Sequence, residues 1–103
     1  MKIAVDAMGG DFAPEQIVFG AIRAAKQYGC EIVLVGDEQK IMEVLDRDKG
    51  WQKLPITVHH ASEVIAMDEH PVQAVRKKKD SSVVVATRLV KDGVCDGVVS
   101  AGS

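Results

Sequence analysis

Two acids and two adjacent glycines crowd one short stretch, "VDAMGGDFAPE" at residues 5–15. Gly9 and Gly10 carry no Cβ, so the chain there can take positive φ and come close to a ligand. Their N–H groups can point at an anion, beside the N-terminus of a helix that Pro14 is suited to open. Asp6 and Asp11 complicate a simple anion site, because carboxylates repel anions. Their expected work is to cap backbone donors, hold a neighbouring cation or orient a hydroxyl. The plainer alternative is a tight strand-to-helix turn with Asp11 as a capping acid. The spacing is not G-x-G-x-x-G and no Walker A motif occurs, so both nucleotide fingerprints are missing.

Three further groups could do chemistry. "SAGS" at 100–103 is small and polar. It permits close backbone approach, and the hydroxyls of Ser100 and Ser103 flank Gly102. Ser81 and Ser82 open a helix, where unpaired N–H groups favour an anion. "RKKKD" at 76–80 concentrates Arg76, Lys77, Lys78 and Lys79. It reads either as a docking patch for an acidic partner or a phosphate, or as a solvated helix end. His59, His60 and His70 have no carboxylate or cysteine at ligand spacing, so no metal site is expected. Nothing matches a Ser-His-Asp or Cys-His arrangement. Trp51 is expected to close over a core edge rather than to stack on a base.

The elements that must position these residues follow from hydrophobic period. "KIAVD" (2–6), "EIVLVG" (31–36), "ITVHH" (56–60) and "CDGVVS" (95–100) read as buried strands. Residues 14–28 read as a helix with Ile17, Val18, Ala21, Ile22, Ala25 and Tyr28 on one face, ended by Gly29. Asp37 caps a second helix over 38–47, with Ile41, Met42, Val44 and Leu45 inward and a Glu43–Arg47 pair outward. Residues 61–70 lack a clean period and read as loop, and a short helix is expected from Pro71 to about Lys78. Residues 81–93 read as helix despite three consecutive valines, with Ser81 at the start and Gly93 past the end. Apolar strands alternating with amphipathic helices imply parallel β-α-β units and a three-layer α/β/α sheet of about four strands. Ligands of such sheets bind beyond the carboxyl ends of the strands. The Asp6–Asp11 loop and the Ser100 loop both lie there and are expected to face one crevice.

Composition excludes several classes. The 103 residues suit one domain, and 47% hydrophobic content supports a packed core that 4% aromatics make aliphatic. A formal net charge of −2 gives no whole-chain attraction to nucleic acid or to an anionic membrane. No stretch approaches the roughly 20 apolar residues of a membrane span. The N-terminus shows no secretory h-region. Cys30 and Cys95 sit among apolar residues without ligand spacing, which reads as buried thiols in a reducing cytoplasm.

Several segments resemble a family. "IAVDAMGGDFAP", "LVGD" at 34–37, "PVQAVRKKKDSS" at 71–82 and "VKDGVCDGVVSAG" at 90–102 are similar, in order, to segments of the PlsX family of phosphate acyltransferases. The resemblance covers essentially the whole chain, and "DAMGGD" is highly specific. It implies a Rossmann-like fold related to isopropylmalate dehydrogenases and phosphotransacetylases. It implies transfer of a fatty acyl group from acyl carrier protein to inorganic phosphate, for phospholipid synthesis. It also implies a homodimer, in the cytoplasm or loosely at the membrane, with no metal or nucleotide cofactor for the chemistry. Asp6, Gly9, Gly10 and Asp11 match a loop that lines the family's cleft. Ser100, Ala101 and Gly102 match the start of "SAGNTGA", whereas Ser103 stands where that pattern has Asn. The residues expected to handle the thioester lie beyond Ser103, so no catalytic residue is carried over. The chain is therefore expected to be one α/β domain from the N-terminal part of an enzyme roughly three times as long. Two other readings stay open. One is a non-catalytic module that binds phosphate or carrier protein. The other is a phosphotransacetylase-like enzyme that uses acyl-CoA.

Overall fold

A computed structural model describes residues 1–64, 73 and 77–101. Its elements run β1 (Lys2–Asp6), α1 (Glu15–Tyr28), β2 (Glu31–Gly36), α2 (Glu38–Leu45), a 3-10 turn (Trp51–Lys53), β3 (Ile56–His60), α3 (Ser82–Lys91) and β4 (Gly97–Ser100). The four strands form one sheet in the order β3-β2-β1-β4, and every pairing is parallel. The expected three-layer, Rossmann-like architecture is the one observed. Arg76, Gly102, Ser103, His70 and most of the helix expected from Pro71 fall outside the described residues.

Strand β2 explains why these strands read as unbroken apolar runs. Ile32 and Leu34 enter a core with α1 and α2, while Val33 and Val35 enter a second core with α3. Both faces of the strand are covered, so period-two alternation is lost. Helices α1 and α2 cover one face because the chain moves outward from β1 to β2 to β3. The chain then crosses to the other side of β1 to form β4, and α3 covers the opposite face, as right-handed crossovers require. The order therefore reverses between β1 and β4. That gap is the switch point where open α/β sheets bind ligands.

Local chemistry sets the helix ends. Gly29 takes φ 67°, a conformation that costs other residues a steric penalty, and its N–H closes α1 onto the Ala25 carbonyl. The Asp37 carboxylate accepts from the Lys40 N–H at 3.2 Å, and His60 Nδ1 accepts from the Glu38 N–H at 3.2 Å, so two side chains cap α2. Ser81 Oγ accepts from the Val84 N–H and caps α3. Trp51 packs against the larger core and donates its Nε1 proton to Asp46, which makes it the expected cover over a core edge.

Two side chains depart from expectation. Tyr28 is 72% exposed, because the last turn of α1 carries it beyond the packed face. Helix α2 ends at Leu45, so Arg47 lies outside it and cannot pair with Glu43 at helical spacing. Its guanidinium reaches Glu15 at 3.0 Å instead and ties the turn after α2 to the start of α1. Edge strand β4 is thinly covered, with Val98 40% and Val99 55% exposed. Beside it, Ile3, Val5, Val99 and the small residues Gly20 and Ala24 line an apolar cavity of about 300 Å³.

Gly36 joins the sheet to the first loop. A Cβ there would stand 2.5 Å from Met8 Cγ and 3.2 Å from Ile41 Cδ1. Gly36→Ala is expected to destabilise the chain by about 1–3 kcal/mol through overpacking, measured by urea denaturation. Met8→Ala in the same chain should recover much of that loss, since it removes the nearest clash. Full additivity of the two changes would mean that Met8 is not what the new methyl strikes.

Candidate functional site

Strand β1 ends at a buried carboxylate. Asp6 is 4% exposed, and both of its oxygens are engaged. Oδ1 accepts from the Met8 N–H at 3.0 Å, which folds the loop back on itself. Oδ2 accepts from Ser100 Oγ at 2.9 Å, across the switch point. Asp6 and Ser100 are also direct partners in the β1–β4 register. The two loops that the sequence places at strand ends thus meet, and Asp6 does two of the three tasks expected of it. It caps a backbone donor and orients a hydroxyl.

The meeting of these loops encloses a pocket of about 270 Å³. Gly9, Gly10, Asp11, Phe12, Gln16 and Ala101 are among its lining residues. Gly10 sits at φ 95°, and a Cβ on it would lie 3.6 Å from the Ala101 Cβ. Glycine there both permits the turn and leaves room between the loops. Among the described residues, the N–H groups of Gly10 and Asp11 meet no acceptor. The pocket therefore offers neutral backbone donors next to the start of α1, and among the described residues no lysine or arginine lines it. Asp11 is exposed. Ala101 belongs to the second loop that the sequence marks, whereas Phe12 and Gln16 are lining residues that sequence reasoning did not single out. The only signal for Gln16 was its place in the first turn after Pro14.

Ser81 and Ser82 are placed differently. Both are buried, at 0% and 2% exposure. The Ser82 N–H donates to the Glu63 carbonyl at 3.0 Å, and Ser81 pairs with Glu63 as an isolated parallel bridge. The start of α3 is thus closed by the segment after β3 rather than open to a ligand. Asp80 reinforces the closure by accepting from both the hydroxyl and the N–H of Ser62. Those donors, the hydroxyl first, hold its carboxyl below the usual aspartate range, with smaller help from His60 and Arg88. In the basic run, Lys77 and Lys79 are exposed, while the Lys78 ammonium donates to the Val64 carbonyl at 3.0 Å.

Ser100→Ala would leave a buried carboxylate oxygen short of its donor, a loss of about 1–3 kcal/mol. We expect the urea midpoint to fall accordingly and Ser100→Thr to restore most of it. An unchanged midpoint for the alanine variant would show that water replaces the hydroxyl.

Comparison with known proteins is consistent across the chain. A family model described as "Fatty acid synthesis protein" matches residues 1–103. The chain is 58% identical over its whole length to a phosphate acyltransferase of Desulforamulus reducens and covers 30% of that protein. It is 56% identical to one of Desulfitobacterium hafniense and 55% to one of Pelotomaculum thermopropionicum, again over its whole length and 30% of theirs. The chain thus spans about 30% of the length of the curated relatives it matches. On these matches the chain belongs to the fatty acid synthesis protein family, the PlsX family that its segments resemble.

Proposed function

We propose that this chain forms the N-terminal α/β part of a phosphate acyltransferase. The enzyme would move a fatty acyl group from acyl carrier protein to inorganic phosphate, giving an acyl phosphate for phospholipid synthesis. One observation carries the reading. The Asp6–Ser100 hydrogen bond holds a diglycine loop against a second small loop at the switch point, and Gly10 and Asp11, whose N–H groups have no acceptor among the described residues, line the pocket there. Relatives named phosphate acyltransferase over the same residues support it. The homodimer and the cytoplasmic, loosely membrane-associated setting that the resemblance implies belong to the same proposal. Among the described residues, no helix is long and apolar enough to cross a membrane.

In this reading phosphate rests on the N–H groups of Gly10 and Asp11. Asp6 acts only by positioning, since its oxygens are occupied by Met8 and Ser100. A phosphate oxygen attacks the thioester carbonyl carbon to form a tetrahedral oxyanion. The C–S bond then breaks, the acyl phosphate forms, and the carrier thiolate takes up a proton from solvent. Phosphate is already a nucleophile, so alignment supplies much of the rate and oxyanion stabilisation the rest. The reaction asks for no resident metal or nucleotide.

The test is phosphate-dependent consumption of an acyl carrier thioester, with the acyl phosphate trapped by hydroxylamine. Acyl-CoA serves as the comparison donor. We expect consumption to require phosphate and to be much faster with the carrier. Gly10→Ala strains a positive-φ position and narrows the gap to Ala101. Strain of that kind costs about 1–3 kcal/mol, and its relief by a shift of the donor loop should raise KM for phosphate about fivefold or more. Equal rates with acyl-CoA would favour a phosphotransacetylase-like enzyme, and no consumption at all would leave only a binding module.

A further inference from the structure

A second concave surface, larger than the loop pocket, lies away from the switch point. It is a trough of about 780 Å³ between the outer side of α1 and the turn that follows α2. Ile22, nearly buried, forms part of its wall, and Phe19 stands half-exposed at its edge. Arg23 and Lys26 line it from α1, and Arg47 and Lys49 line it from the turn. These four cations against Asp48 alone leave the lining at +3, in a chain whose formal net charge is −2. The trough is a positive island on an acidic chain.

Its cations are held in two ways. Lys26 bonds Asp48 at 2.8 Å, and Arg47 bonds Glu15 at 3.0 Å. These pairs fix the trough's walls. The Lys26 ammonium, and then the Gly50 N–H, hold the Asp48 carboxyl below the usual aspartate range, so the wall pair stays ionised at neutral pH. Arg23 and Lys49 form no ion pair among the described residues. Their charge remains available to a partner.

The trough is also aligned with the loop pocket. Gln16 lines the pocket, and Phe19, Arg23 and Lys26 line the trough. Steps of three and four residues put all four on one side of α1. From Gln16 to Lys26 the helix rises about 15 Å. A long flexible arm anchored over the trough could run along this stripe and end at the pocket.

We propose that this trough, and not the run Arg76 to Lys79, is where an acidic helix of the acyl carrier protein docks. The inference rests on the acyl-transfer reading for the identity of the partner. Partner carboxylates meet Arg23 and Lys49, and an apolar side chain of the partner covers Phe19 and Ile22. Charge complementarity selects an acidic protein, and a trough of about 780 Å³ is far larger than a small anion needs. The run at 76–79 is less suited among its described members, since Lys78 is turned onto the Val64 carbonyl and Asp80 adjoins Lys79.

The experiment measures the Kd of the intact protein for a carrier loaded with a saturated fatty acyl thioester, at low and high salt. Arg23→Glu with Lys49→Glu is compared with Lys77→Glu with Lys79→Glu. A milder pair, Arg23→Gln with Lys49→Gln, guards against misfolding by the reversal. We expect the trough reversal to weaken binding by tenfold or more at low salt, with the difference shrinking at high salt as rim charges are screened. The neutral pair should give a smaller loss in the same direction, and the Lys77 and Lys79 reversal should leave Kd unchanged. Equal Kd for wild type and both trough variants, a loss confined to the Lys77 and Lys79 variant, or no binding by the wild type would overturn the proposal. Thioester consumption assayed in parallel separates the two claims. Wild-type turnover with an unaltered Kd in the trough variants refutes the docking site alone. Trough-dependent binding without phosphate-dependent turnover refutes the acyl-transfer reading alone.

Discussion

A carboxylate removed from water must find donors, and Asp6 sits at the end of the central strand with almost no exposure. Its two oxygens draw in the next loop and a hydroxyl from the far end of the chain. Much of the site's geometry follows from that requirement. Slipping β4 by one residue would move Ser100 about 3.3 Å and turn it to the other face. The hydrogen bond therefore selects the β1–β4 register that brings Ala101 over Gly10. The pocket is a by-product of satisfying one buried charge.

The sheet around that charge is unevenly supported. On β2, Ile32 to Gly36 are all buried, and the strand contributes to both cores. Each of its large side chains contributes about 1.5–3 kcal/mol by leaving water. On β4, Val98 and Val99 remain substantially exposed. The pocket thus lies between the central strand and the least-covered one. Regions with few buried apolar contacts open at low free energy, and binding loops are commonly drawn from them. Asp6 compensates locally, because its bond to Ser100 acts where packing on β4 is thin.

The readable part of this structure was the part set by neighbours in sequence. Asp37, Ser81 and Gly29 mark helix ends because their chemistry acts within a turn. The four strands could be recognised because burial on both faces leaves unbroken apolar runs. Long-range choices were harder to read. Nothing near Ser81 announces that Glu63 will close the start of α3, so an open anion site and a sealed cap look alike in sequence. Helical spacing points Arg47 at Glu43, but α2 ends at Leu45 and the guanidinium pairs with Glu15. The basic trough left no trace for the same reason. Its cations come from two separate elements, whereas "RKKKD" is a visible run.

The division between a neutral pocket and a charged trough has a chemical logic. Among the described residues, the pocket wall offers backbone donors and the Asp11 carboxylate and no cationic side chain. An anion held that way is bound weakly. Binding phosphate more tightly in the ground state would not speed its attack, because only interactions that strengthen in the transition state do so. A fixed lysine beside the phosphate would also grip the acyl phosphate product. Under the proposed docking, placing the cations in a trough along α1 would let charge recruit a large acidic partner without trapping a small anionic one. On this argument the separation of the two surfaces along a single helix is itself functional. Under the two proposals, helix α1 would serve the nucleophile at its N-terminus and the donor on its outer side.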